Sequence, residues 1–289
     1  MTRLALLADI HGNLPALQAV LHDLQKFHVD QVVVAGDAIS WAPFSADVLE
    51  IITRERWPTI RGNHEYYLLD FDTPRAPAHW SEYSLLPWMH RQLNEHWRNV
   101  VATWPDTLSL RFVDAPPLRV IHGSPHSPWQ PLYAHSSDEE LVAFLCDVEE
   151  DWLVAGHTHL ITDRRIQSKE GKAWHLFNPG SVGVPLDGIQ SASYMILDGD
   201  ADGWTPTFRR VPFDYTALFE EFHRGRFVEE CGVTGHLVLR EFETARVQVH
   251  PFLQWRKACC PDALLSVELL QEFDKVDASK YVLPAYRAR

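Results

Sequence analysis

Short apolar runs and longer amphipathic ones alternate from the start of the chain. Leu4 to Ala8 and Gln31 to Ala35 are apolar runs of strand length, and between them Ala16, Leu17, Val20, Leu21, Leu24 and Phe27 recur at helical spacing. This predicts a β-α-β unit. Asn13 stands where it can cap the helix, and Pro15 falls in its first turn, where a missing N–H costs nothing. A second amphipathic stretch, Ser45 to Arg54, precedes a third strand at 58–60 that runs into Arg61-Gly62-Asn63-His64. Residues 65–105 are rich in aromatics, prolines and charges and hold helical stretches such as Leu85 to Trp97 without a strand pattern, which predicts a helical insertion. From Thr107 onward strand patterns recur at 107–113, 118–122, 152–155, 173–177, 192–197 and 205–211, with one helix near 137–147. Residues 214–275 return to helical spacing, with Leu264, Leu265, Val267, Leu269 and Leu270 in one apolar stretch.

The expected organisation is an α/β catalytic domain over 1–213, with the insertion at about 65–105, followed by a helical extension over 214–289. The apolar helix of that extension favours packing on the core, while a dimer interface or a restriction of the pocket stays open. With 289 residues, 46% hydrophobic and 22% charged, the chain has the make-up of a globular protein and not of a disordered one. Twenty-six basic against 39 acidic side chains leave a net charge of −13, which argues against nucleic acid or an anionic membrane as partner. An anionic ligand would need a local positive centre. No apolar run approaches the ~20 residues of a membrane span, and Asp9 and His11 interrupt the first one before it can act as a signal, so a cytoplasmic location is expected. The four cysteines, Cys146, Cys231, Cys259 and Cys260, have neither a disulfide framework's spacing nor a zinc finger's and read as free thiols.

The chemistry lies at the strand ends. Asp9-Ile10-His11, Gly36-Asp37, Gly62-Asn63-His64, His122-Gly123 and Gly156-His157-Thr158-His159 each follow a predicted strand. In open α/β sheets ligands bind beyond the carboxyl ends of strands, so these clusters are expected to converge on one crevice. Glycine serves where the backbone bends sharply or approaches another group closely. Asp, Asn and His together suit Zn²⁺, Mn²⁺ or Fe²⁺ better than Ca²⁺, which prefers an all-oxygen shell, and seven such ligands suggest two ions.

This ordered series resembles the calcineurin-like metallophosphoesterase superfamily over roughly residues 1–213. Within it, Gly36-Asp37 to Pro43, His122-Gly123-Ser124-Pro125 and Asn178-Pro179-Gly180-Ser181-Val182-Gly183 are similar to the small prokaryotic predicted phosphodiesterases. The resemblance implies a four-layer sandwich of two mixed β-sheets flanked by helices. It implies that Asp9, His11 and His159 hold one divalent ion (Mn, Fe, Zn or Ni), that Asn63, His122 and His157 hold a second, and that Asp37 bridges them. His64 would stay off the metals and act on the substrate, a small phosphate ester attacked in line by metal-bound hydroxide. Two divalent ions less the charges of Asp9 and Asp37 leave the site positive. Four histidine ligands that must be neutral predict loss of metal and activity below about pH 6.

Asn178, Gly180 and Ser181 are candidates for substrate contact, with a plain turn between strands as the competing reading. The relatives usually continue this loop with Gln, Pro and Arg before Asp-Gly, whereas here Val184-Pro185-Leu186 precedes Asp187-Gly188, so a cation that could clamp a second phosphate is missing. His126 stands near the site as a further substrate candidate or as an exposed loop histidine. The aromatics at 66–67, 80, 83 and 88 read as core of the insertion, or as one wall of the pocket. A metallo-β-lactamase-like hydrolase would need Asp at 161 and His at 162, where Ile161 and Thr162 stand. The ligands leave open diester or monoester hydrolysis, a metal-binding scaffold without turnover, and a homo-oligomeric state.

Overall fold

A computed structural model describes residues 1–287. Its strands are β1 (Thr2–Leu7), β2 (Gln31–Val34), β3 (Leu108–Leu110), β4 (Leu118–Val120), β5 (Trp152–Val154), β6 (Thr162–Gln167), β7 (Ala173–Asn178), β8 (Ala192–Asp200) and β9 (Gly203–Val211). Successive side chains of β1 point to opposite faces, as a pleated strand requires, and both faces are buried. Leu4 and Leu6 join Val33, Val120, Val154, Phe177, Met195 and Leu197 in one apolar cluster. Ala5 and Leu7 join Leu17, Val20, Val48 and Ile52 in another. The first cluster lies between two sheets and the second between a sheet and its helices, and together they set the layers.

The first sheet has the order β2-β1-β8-β9 and the second β3-β4-β5-β7-β6. Both are mixed, with β1 parallel to β2 but antiparallel to β8, and β5 parallel to β4 and β7 while β6 runs against β7. The helices are α1 (Leu14–Leu24), α2 (Ser45–Glu55), α3 (Asn63–Asp70), α4 (Leu85–Gln92), α5 (Glu95–Ala102), α6 (Asp138–Leu145), α7 (Thr216–Arg224), α8 (Phe227–Thr244), α9 (Val249–Cys259) and α10 (Val267–Phe273). Asn13 caps α1 as expected, its side chain accepting the N–H of Ala16 at 3.1 Å. Helix α6 covers the second sheet through Leu141 and Leu145 against Leu153, Ile166 and Trp174. Leu85 and Trp88 of α4 and Phe222, Phe227 and Phe242 of α7 and α8 extend the cluster that α1 begins. Helices α8 to α10 also enclose Leu237, Phe252, Trp255, Leu270 and Phe273.

The sequence reading is corrected at four places. The strand at 58–60 reduces to one bridge, Val34 to Thr59. The helix expected over Leu85 to Trp97 breaks at Leu93, where Asn94 caps α5 through the N–H of Trp97. Strand β6 is absent from the apolar pattern because it is the sheet's edge, where Asp163, Arg164 and Arg165 guard exposed backbone groups. Leu264 is exposed, so the apolar stretch near 264–270 buries only its later part. Among the described residues no helix is long and apolar enough to cross a membrane, and all four cysteines are free thiols.

Candidate metal centre

Strands β1 and β2 run parallel, as do β4, β5 and β7, and the turns beyond their carboxyl ends meet at one edge of the sandwich. Ligand atoms of Asp9, His11 and His159 lie within 4.8 Å of one another, as do those of Asp37, His122 and His157 and those of His11, Asp37 and His64. The turns are sharp. Asp9, His11, Asp37, His157 and His159 adopt φ of +54°, +50°, +52°, +67° and +57°, a left-handed region that costs an L-residue roughly 1–2 kcal/mol. Such backbone persists only where its surroundings over-determine it.

Those surroundings are hydrogen bonds. Ala8 O accepts from Val182 N, and Asp9 O accepts from Gly183 N at 3.0 Å and from Ser181 Oγ at 2.8 Å. Asn178 donates to Gly156 O at 2.7 Å and to Thr158 Oγ1 at 3.0 Å, while its own oxygen accepts the N–H of Gly180. Asn178, Gly180 and Ser181 are thus buried beneath the cluster with their polar atoms turned into the protein. His126 stands apart in an exposed turn, its Nε2 3.2 Å from Asp147. His175 stacks on Trp152 and pairs with Asp163, away from the cluster. Arg61 pairs with Asp106 and lies over the Tyr66 ring.

The imidazole tautomers follow from their carbonyl partners, since a carbonyl only accepts. His159 Nδ1 donates to Val184 O at 2.6 Å, His122 Nδ1 to Ala35 O at 2.8 Å and His11 Nδ1 to Ile39 O at 3.3 Å. Their Nε2 atoms are left as lone pairs that face other acceptors. His11 Nε2 is 3.3 Å from His159 Nε2, His159 Nε2 is 3.5 Å from Asp9 Oδ1, and His122 Nε2 is 3.1 Å from Asn63 Oδ1 and 3.2 Å from Asp37 Oδ2. The half-buried His157 donates Nε2 to Trp129 O at 3.2 Å, which leaves Nδ1 for the centre. Among the described residues only histidines pair with Asp9 and Asp37. A buried set of acceptors without a protein cation fits divalent transition-metal ions.

In the protein alone, burial pushes Asp9 well above the ordinary carboxylate range. Burial also works to raise Asp37, but the imidazoles of His122 and His64 more than offset it and hold that carboxylate low. Burial works to lower His122, but Asp37 beside it lifts this imidazole to about 9. Burial lowers His157 to about 3 and His159 to about 4, and keeps His11 and His64 low as well.

Two supporting residues have no counterpart in the sequence reading. The buried Glu65 carboxylate accepts the backbone N–H groups of Asp37, Ala38 and Gly62 at 2.9, 2.8 and 2.6 Å, and burial raises it to about 7. Its signal was a Glu at the third position of α3, which reaches back to the N–H of Gly62 as the Glu half of a capping box does, glycine having no side chain to return the bond. Tyr286 donates its hydroxyl to Thr158 O at 3.0 Å, between His157 and His159. It carries no local sequence signal. Trp41 stacks on His11 with ring centroids 4.8 Å apart.

The profile of the calcineurin-like phosphoesterase superfamily domain matches residues 2–202. The chain is 26% identical to the uncharacterized protein MJ0912 of Methanocaldococcus jannaschii, over 79% of this chain and 95% of that one. It is 30% identical to the phosphodiesterase YfcE of Escherichia coli K12, over 69% of this chain and 89% of that one. The crystal structure of a metallophosphoesterase from Sphaerobacter thermophilus superposes with a TM-score of 0.65 at 22% identity, over 84% of this chain and 99% of that one. The chain belongs to the calcineurin-like phosphoesterase superfamily and is a metal-dependent phosphoesterase.

Proposed function

We propose that this member of the superfamily hydrolyses small phosphodiesters at a dinuclear centre. Asp9, His11 and His159 hold one divalent ion, Asn63, His122 and His157 the other, and Asp37 lies between them. The observation that carries this reading is the convergence of imidazole lone pairs and two carboxylates on a buried point that no lysine or arginine of the described chain neutralises. Mn, Fe, Zn and Ni all suit these donors. The phosphodiesterase among the relatives supports a diester substrate. We take residues 1–213 as the catalytic unit and the remainder as an extension, because β9 ends at Val211 and the family match ends at 202.

Two such ions, when bound, supply Lewis acidity that polarises phosphoryl oxygens and makes a water acidic enough to attack phosphorus near neutral pH. Asp9 and Asp37 contribute only two negative charges, so the loaded centre attracts an anionic ester although the protein as a whole is acidic. His64 is tied at its backbone N–H to Asp37 Oδ1 at 2.8 Å, and its ring meets His11 edge-on at 4.7 Å. Its buried Nδ1 has no protein partner. We assign His64 to the substrate, donating an imidazole N–H to a phosphoryl oxygen or to the departing oxygen. Burial excludes water and strengthens that hydrogen bond.

The test is the hydrolysis of bis(4-nitrophenyl) phosphate against 4-nitrophenyl phosphate with Mn²⁺ added, beside His64→Gln. The diester is expected to be preferred, and His64→Gln to lose about 10²–10⁴-fold in rate with its metal content unchanged. A monoester preference would replace the diester reading, and an undiminished His64→Gln would remove His64 from the chemistry.

A further inference from the structure

A cavity of about 180 Å³ opens beside the candidate metal centre, and two residues at the centre, Trp41 and His64, form part of its wall. The rest comes from two other parts of the chain. Tyr67, Trp80 and Tyr83 belong to the helical insertion, and Leu253 lies on α9 of the C-terminal extension. The walls are mostly rings set at right angles. His64 meets Trp41 at 5.4 Å and 85° and Tyr67 at 5.2 Å and 89°, and Tyr67 meets Trp80 at 4.8 Å and 73°. No lysine, arginine or carboxylate lines the cavity. The aromatics of the insertion share one core cluster: Trp88 packs against Phe227, while Tyr67, Trp80 and Tyr83 pack on the same cluster and also line the cavity.

We propose that this cavity receives one planar ring on the ester group that stays on phosphorus, so that the enzyme selects phosphodiesters whose retained group is a single aromatic ring over those whose retained group is alkyl. The inference rests on the phosphodiesterase reading and adds the substrate class. Ring edges and faces offer stacked and T-shaped contacts to another ring, and the wall has no lysine or arginine to clamp a second phosphate, His79 and Thr234 being its further polar side chains. The volume falls below the ~300 Å³ at which pockets begin to hold drug-sized ligands, which suits one ring and not a fused system with a sugar. Val184-Pro185-Leu186 agrees with this, since it places no cation beside the centre.

Phenyl 4-nitrophenyl phosphate and methyl 4-nitrophenyl phosphate share a leaving group and differ only in the retained one. With the Mn²⁺-loaded full chain, Leu253→Trp, which fills the cavity, is expected to lower the phenyl-to-methyl ratio of kcat/KM about tenfold while the methyl ester's own kcat/KM stays within about twofold. Tyr83→Ala, which removes one wall, is expected to lower the same ratio and serves if Leu253→Trp does not fold. An unchanged ratio in the folded variants would overturn the ring site and leave the phosphodiesterase reading intact. If neither diester turns over, the phosphodiesterase reading falls, and the ring site is decided by calorimetric Kd values for phenylphosphonate and methylphosphonate. Tighter phenylphosphonate binding that Leu253→Trp abolishes would support it, and equal affinities would overturn it.

Discussion

The Glu65 carboxylate accepts the backbone N–H of Asp37 at 2.9 Å through the same oxygen that takes the N–H of Gly62 at 2.6 Å. One buried side chain thus joins the turn after β2 to the start of α3, and it fixes the φ of +52° at Asp37. Glu65→Gln replaces one of two accepting oxygens with a donor that faces N–H groups. It is expected to weaken Mn²⁺ binding about 10–100-fold, as loss of a residue that orients a ligand does. Calorimetric titration checks this, and an unchanged Kd would show that the turn holds without it.

Gly62 approaches the Asp37 carboxylate so closely that a methyl group would overlap it, and it would also lie 2.7 Å from the Asp37 nitrogen. Gly62→Ala is expected to cost about 1–3 kcal/mol in urea denaturation and to lower metal content, because the displaced group is a ligand. A variant with parental stability and metal content would mean that Asp37 can move without consequence.

Tyr286→Phe removes one hydrogen bond to the carbonyl between His157 and His159. The expected loss is about 1 kcal/mol, read as a several-fold weaker Mn²⁺ Kd with the unfolding midpoint nearly unchanged. Equal Kd values would leave the C-terminal residues without influence on the centre.

Glu241 lies fully buried in α8, far along the chain from the metal ligands. One oxygen accepts the N–H groups of Gln248 and Val249 at 2.7 and 3.0 Å, and the other has no partner. Burial lifts this carboxyl from 4.5 to about 7. A raised folded-state value means that the group's contribution is complete below 4.5 and is lost as pH rises through 7, by roughly 3 kcal/mol. Glu241→Gln keeps an accepting oxygen and cannot ionise, so its melting temperature is expected to exceed the parent's at pH 8 and to lose that advantage at pH 5. Parallel melting curves across this range would show that Glu241 is solvated.

The β-α-β opening was legible because burial of both faces of β1 writes an unbroken apolar run, and burial of one face of α1 writes a helical apolar period. Edge strand β6 was not, since its charged residues serve the edge and not a core. The ligand residue types at the strand ends could be read in order, but not the direction of each side chain. Asn178 and Ser181 sit beside the centre yet turn their polar atoms inward, a fact of backbone geometry and not of composition. Glu65 hid within a helix start, and Tyr286 reaches Thr158 from 128 residues away.

The left-handed backbone at Asp9, His11, Asp37, His157 and His159 sets these positions against the stability of the chain that carries them. Glycine would relax each by roughly 1 kcal/mol or more while abolishing a ligand. That relief is offset by what the side chains hold, since Asp37 accepts the His64 N–H at 2.8 Å, His159 donates to Val184 O at 2.6 Å and His11 stacks on Trp41. Asp and His at these five positions thus keep a left-handed backbone and a buried ligand set together in one constellation of turns.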